Sequence, residues 1–134
     1  MKQSDCPFCQ IINGSAPERI LVQNSKALAI LDGYPVSNGH SLIVLWRHAA
    51  SLFETDAGER HAMFELLNNA KTIIDGLHQP DSYNIGINDG ASAGQTVPHL
   101  HIHLIPRYKG DMVDPRGGVR WVIPDKADYW SRNE

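Results

Sequence analysis

The chain has 134 residues, 42% hydrophobic and 20% charged, with a formal net charge of −3. That length suits one domain with a single core, and the negative balance excludes a nucleic-acid backbone as the expected partner while leaving room for a locally positive pocket. No apolar run approaches the roughly 18 residues of a membrane helix.

The start, "MKQSDCPFCQ", lacks the apolar centre of a secretion signal. A cytoplasmic, reducing compartment is therefore expected, where Cys6 and Cys9 are thiols or metal ligands rather than a disulfide. "PFCQIINGS" predicts a short helix after Pro7, stopped by Gly14. "RILVQNS" and "KALAILD" read as two strands with a turn at Asn24-Ser25. "YPVSNGH" is loop by its Pro, Ser, Asn and Gly, and "SLIVLW" is a buried strand. Asp56 with Glu59 three residues on resembles a capping box. Met63, Leu66, Leu67, Ala70, Ile73, Ile74 and Leu77 then recur at helical spacing, predicting a helix from about Asp56 to near Leu77. "SYNIGIN" alternates as a strand, "DGASAGQT" is a Gly-rich loop, and "VPHLHIHLIP" alternates again. Beyond Tyr108 the chain is turn-rich. About five strands and one long helix, with strands mostly adjacent in sequence, favour an α+β fold with an antiparallel sheet. One domain over 1–134 is expected, with a core at about 6–108 and a tail at 109–134.

Two constellations carry chemistry. In "VPHLHIHLIP", His99, His101 and His103 alternate with Leu100, Ile102 and Leu104. On a half-buried strand the apolar set faces a core and the imidazoles share the other face. An isolated histidine is most often a surface or satisfied core residue; three at strict two-residue spacing are harder to dismiss. They could bind one catalytic metal, or line a phosphate site with one as nucleophile. The preceding "NDGASAGQTV" can bring backbone donors close to an anion, which favours phosphate chemistry. The second constellation, "CPFC", offers two metal ligands or a redox pair. A closed tetrahedral site needs two more ligands. The residues alone do not choose them among seven histidines, although His61 and His78 read as solvated surface.

"GQTVPHLHIHLIPR" resembles the signature of the histidine triad (HIT) superfamily, His-φ-His-φ-His-φ-φ with φ apolar. "LDGYPVSNGHSLIVLWRH" is similar to that family's upstream strand-loop-strand, and "NIGINDG" to its nucleotide-side strand. The resemblance runs from Cys6 to about Tyr108. It implies a five-stranded antiparallel sheet, a homodimer whose sheets join into ten strands, and cleavage of purine nucleotides at the α-phosphorus with no organic cofactor. It makes His101 the nucleophile, places His103 by the α-phosphate and matches His40 to a fourth active-site histidine. Asp32 aligns with a ribose-hydroxyl ligand, Asn88 with a polar residue facing nucleotide and phosphate, and Gln95 and Thr96 with phosphate and leaving-group contacts. In members carrying CxxC the resemblance implies a structural zinc, held here by Cys6, Cys9, His48 and His99.

Two branches of that superfamily fit. "GQTV" with Thr96 and "LIPR" resemble the Fhit-like branch, which implies a dinucleoside polyphosphate such as diadenosine tetraphosphate as substrate. The Hint-like branch implies a nucleoside phosphoramidate or aminoacyl adenylate. The galactose-1-phosphate uridylyltransferase branch is disfavoured, because it has Pro between its essential motif histidines. A non-catalytic nucleotide-binding module and a zinc hydrolase using His99, His101 and His103 together are the alternatives. The tail "DPRGGVRWVIPDKADYW" departs from both main branches, and Trp121 and Trp130 are candidates to reach a partner's pocket.

Overall fold

"SLIVL" offers no polar position beyond its first, so a strand made of it must be covered on both faces. The computed structural model describes residues 3–132 and places this strand at the centre of one antiparallel sheet. The strands are β1 (Ile20–Gln23), β2 (Ala27–Leu31), β3 (Ser41–Leu45), β4 (Ser82–Gly86) and β5 (His101–Arg107), in the order β1-β2-β3-β5-β4. Every residue of β3 is buried. The helices are α1 (Pro7–Ile12), α2 (Ala57–His78) and α3 (Pro124–Ala127). The expected α+β class with a five-stranded antiparallel sheet is the observed one. No helix among the described residues is long and apolar enough to cross a membrane.

The long helix α2 covers one face. Asp56 caps it: its side chain accepts from Glu59 N–H at 2.7 Å, and Glu59 reaches back to Asp56 N–H at 3.1 Å. The box satisfies two backbone donors that the first turn would leave orphaned. Glu59 is also held by Arg47 through two 3.0 Å bonds. The Arg47 guanidinium keeps its carboxyl below the usual carboxylate range. Met63, Leu66 and Ala70 face Ala27, Ala29, Ile43, Leu45, Leu100, Ile102 and Leu104 across a closed core. The small Ala27 and Ala29 give the helix its close approach to β2.

The short helix α1 covers part of the opposite face. Phe8 and Ile11 pack there on Leu28, Ile30, Leu42 and Val44. This corrects the expected half-buried histidine strand. Its apolar set does face α2, but the histidine face is roofed as well: His99 is wholly buried and His101 nearly so. The strand also starts later than its sequence pattern suggests. His99 precedes β5, with its N–H on the Val97 carbonyl at 2.8 Å, while Leu100 N–H donates to Ala49 at 2.7 Å. A residue whose side chain and backbone are both claimed by other partners cannot also complete a ladder.

The tail folds back on its own chain. Arg107 bonds Asp111 through Nε (2.8 Å) and Nη2 (2.9 Å) and reaches Asn84 Oδ1 through Nη1 at 2.6 Å. Trp121 Nε1 donates to the Arg116 carbonyl, and the Arg116 guanidinium lies over Trp130, 4.9 Å from its ring centroid. Both tryptophans are thus engaged within the tail.

Candidate functional site

The register of β5 against its neighbours decides what shares a surface. Directly opposed residues of an antiparallel pair point to the same side. Val44 pairs with His101 and Leu42 with His103 on one flank, and Gly86 pairs with His103 on the other. His101 and His103 therefore lie on the α1 face, with ring centroids 5.2 Å apart. Phe8 of α1 stands 4.8 Å from the His101 ring and 5.7 Å from that of His99.

Hydrogen bonds fix the proton positions. His101 Nδ1 lies 2.7 Å from the His99 carbonyl oxygen. A carbonyl only accepts, so Nδ1 carries the hydrogen and Nε2 of neutral His101 keeps a free lone pair. His40 Nδ1 accepts from Val36 N–H at 3.1 Å, so neutral His40 carries its hydrogen on Nε2. That nitrogen faces His103 Nδ1 at 3.0 Å and Asp32 Oδ2 at 3.3 Å. His103 Nδ1 must then be the acceptor, which leaves its hydrogen on Nε2. The site presents one bare imidazole nitrogen beside one imidazole N–H donor.

Burial supports the neutral forms. It pushes His101 and His40 below the ordinary histidine value, with Asp32 pulling the other way on both. Burial, then the neighbouring His101 and His40, bring His103 down to about 4.

His99 belongs to another cluster. Its Nδ1 lies 3.4 Å from Cys6 Sγ, 3.6 Å from Cys9 Sγ and 3.2 Å from His48 Nδ1; Cys9 Sγ lies 3.1 Å from His48 Nδ1. These four residues could hold a metal ion. Ligands at about 2.05 Å (N) and 2.3 Å (S) in a tetrahedron sit roughly 3.3 Å apart for N–N and 3.6 Å for S–N. Three of the observed spacings lie within about 0.2 Å of these values, and Cys9–His48, at 3.1 Å, is shorter. His99 Nε2 donates to the Leu45 carbonyl at 2.6 Å, which orients the ring and turns the Nδ1 lone pair toward the cluster. Burial raises the Cys9 thiol to about 11, and a coordinated ion would reverse that by stabilising the thiolate. The three triad histidines do not converge on one ion. His99 groups with the cysteines and His103 with Asp32 and His40, because residues two apart on an extended chain are separated by roughly 6–7 Å.

The remaining expected residues are placed less centrally. Asp32, beyond its contact with His40, accepts from Tyr34 N–H at 2.8 Å. Asn88 and Thr96 are exposed on the loop between β4 and β5. Gln95 braces that loop: its Oε1 accepts from Gly90 N–H at 2.8 Å and its Nε2 donates to the Ala50 carbonyl at 2.9 Å. Sequence reasoning missed Phe8, the Val36 N–H and Asp89, whose carboxylate takes bonds from Ser51 Oγ and Leu52 N–H and anchors the same loop. No spacing rule links Phe8 to His101; an apolar residue inside CxxC was the only trace.

Residues 13–110 match the HIT domain family. The chain is 43% identical to the adenylylsulfatase HINT3 of Arabidopsis thaliana over 81% of its own length and 55% of that protein. It is 35% identical to a bis(5'-adenosyl)-triphosphatase of Saccharomyces cerevisiae over 87% of its length and 54% of that protein. The chain thus spans about half the length of these two relatives. Among solved structures it is similar to a zinc-bound histidine triad family protein of Mycobacterium smegmatis, with 35% identity and TM-score 0.74 over 84% of this chain and 82% of that one.

The folded value of His103, about 4, lies below the roughly 6.5 of an unfolded histidine. The unfolded chain binds this proton first, so His103 stabilises the fold fully above about 6.5 and loses that contribution as pH falls toward 4. Its ring proton resonances should stay flat from pH 8 to about 5; a midpoint near 6.5 by nuclear magnetic resonance would contradict the assignment.

Proposed function

The chain belongs to the HIT domain family, and on that footing we propose that it hydrolyses purine nucleotide derivatives at the α-phosphorus through a nucleotidyl-histidine on His101. The observation that carries this reading is the 2.7 Å bond from His101 Nδ1 to the His99 carbonyl. It frees Nε2 to attack and leaves an acceptor for the positive charge that grows on the ring. In the first step Nε2 forms the N–P bond while the bond from phosphorus to the leaving oxygen breaks, its electron pair departing with that oxygen. In the second, a water oxygen bonds phosphorus, the N–P pair returns to Nε2, and the water proton passes to solvent. A nucleoside monophosphate is released. Splitting one substitution into two lowers each barrier. His103 Nε2–H, oriented through His40, donates to a phosphate oxygen. Asp32 takes a ribose hydroxyl, and Asn88, Gln95 and Thr96 form the phosphate-side loop. A purely binding module would have no use for a bare, oriented nucleophile.

For the substrate we infer a dinucleoside polyphosphate such as diadenosine tetraphosphate, in line with the triphosphatase relative. The adenylylsulfatase relative supports a second reading, adenylyl sulfate, in which sulfate replaces the polyphosphate as leaving group. Both place an adenylyl group on an anionic oxyacid. A panel of these two with an adenosine phosphoramidate separates them from the Hint-like alternative. His101→Ala should lower kcat by about three orders of magnitude or more, and acid-quenched wild-type enzyme should yield a nucleotidyl adduct on His101. An adduct on His103 would exchange the two roles.

For the Cys6, Cys9, His48 and His99 cluster we assign zinc, supported by the donor set, the tetrahedral spacing and the zinc-bound relative. A closed four-ligand zinc supplies folding free energy rather than reaction chemistry. Replacing Cys6 and Cys9 together by Ser should abolish stoichiometric metal binding and lower Tm by roughly 10 °C or more. Metal-free protein of full stability would overturn the assignment.

The sheet leaves β1 and β4 as open edges, and open edges invite pairing. Phe64, Leu67 and Ile85 line an apolar groove between α2 and β4, with Phe64 and Ile85 about half exposed. We assign these to a twofold homodimer. Light scattering at micromolar concentration should give about twice the chain mass; a monomer mass would reject it.

A further inference from the structure

Glycine inside a strand is a cost: it loses more conformational entropy than other residues and packs no side chain. β4 ends on Gly86, whose φ lies outside the left-handed region. A turn or a strained backbone does not account for it, and a Cβ built there meets nothing within 4 Å. Steric crowding does not account for it either. Its place in the register does. Gly86 lies directly opposite His103, so a side chain at 86 would rise on the triad face beside the imidazole that carries the Nε2–H donor.

The other flank of that imidazole is filled. Leu42 opposes His103 from β3, and His40 and Asp32 close on its Nδ1 side. Toward β4, a Cβ at position 86 would meet nothing within 4 Å. The next residue of β4 on the same face is Asn84, opposite Ile105. Arg107 can only donate, so the atom it bonds is Asn84 Oδ1 and the amide nitrogen turns toward the tail. The tail approaches there. Gly118, whose φ of +41° favours glycine, brings this segment, which lies past the residues matched to the family, against β4: a Cβ there would stand 3.0 Å from Asn84 Nδ2. The open space at Gly86 thus has His103 opposite it and Asn84 next on the same face, with the Gly118 turn against Asn84.

Charge separates the two sides. The β3 side carries the Asp32 carboxylate, which accepts from hydroxyls and repels anions. The β4 side carries the Asn84 amide and, behind it, Arg107 of β5 in a two-bond ion pair with Asp111, a pair with no net charge. We propose that the bare position at Gly86 creates the subsite for the anionic oxyacid leaving group, and that its missing side chain is what admits a leaving group longer than a single phosphoryl or sulfuryl unit. This rests on the α-phosphorus reading above and adds to it the residue that sets leaving-group size.

The test is binding, on a His101→Ala background so that ligands persist. Gly86→Val and the smaller Gly86→Ala are compared with their parent for affinity toward diadenosine tetraphosphate and toward AMP, by calorimetry, with Tm as the check on folding. Valine suits a strand, and the open space gives it no clash. Diadenosine tetraphosphate should bind at least tenfold more weakly to the Val variant, with a smaller loss for Ala, while AMP affinity stays within twofold. Equal loss of both ligands would put the nucleoside at Gly86 and overturn the proposal, as would no change in either. If the parent binds neither nucleotide, the α-phosphorus reading falls and this subsite falls with it. If the parent binds both but wild-type protein turns over no adenylyl substrate, only the hydrolytic reading fails and the affinity ratios still decide the subsite.

Discussion

The carbonyl oxygen of His99 accepts the Nδ1 hydrogen of His101 at 2.7 Å, and that oxygen stays in place because every other polar group of His99 is tied down. Its Nε2 donates to the Leu45 carbonyl, its Nδ1 faces Cys6, Cys9 and His48, and its N–H bonds Val97. One buried residue thus joins α1, β3 and the start of β5. A nucleophilic imidazole needs a single tautomer and a single orientation, and a carbonyl free to rotate would guarantee neither. The cysteine cluster and His101 are therefore coupled mechanically, through one peptide unit, while staying chemically separate.

The same economy explains why the histidine face is covered. An imidazole in water is protonated below about pH 6.5 and then has no free lone pair. Phe8 and Ile11 exclude solvent from one end of this face, and the tail closes part of the other. Burial then disfavours the charged forms of His40, His101 and His103, and the single nearby carboxylate, Asp32, offsets the effect only in part. The relay from Val36 N–H through His40 to His103 adds direction to that neutrality, because each acceptor forces the hydrogen onto the opposite ring nitrogen.

Much of this was legible in the residues. Strict two-residue alternation gave β5 and the common face of His101 and His103, because a strand has only two sides. The Asp56–Glu59 pair and the helical recurrence from Met63 to Ile74 gave α2 to within a residue at its start, because capping chemistry is local. CxxC announced a cluster, and the two histidines that complete it came from resemblance to a family, not from spacing.

Other features depended on contacts between segments far apart in the chain. Alternation states which residues share a face but not what covers it, so the roof that α1 lays over the histidines, and the departure of His99 from the strand, were invisible. Gln95 braces the β4–β5 loop, a role its place in the sequence did not announce, since an amide takes whichever partners the folded loop supplies. The sequence by itself determined the local periodicities, the caps and the chemical inventory of the site, all of which follow from bonding and spacing along one chain. Only the tertiary structure decided which imidazole nitrogen is bare, which triad histidine joins the cysteines and that Gly86 lies opposite His103, because each depends on a neighbour delivered by a different segment.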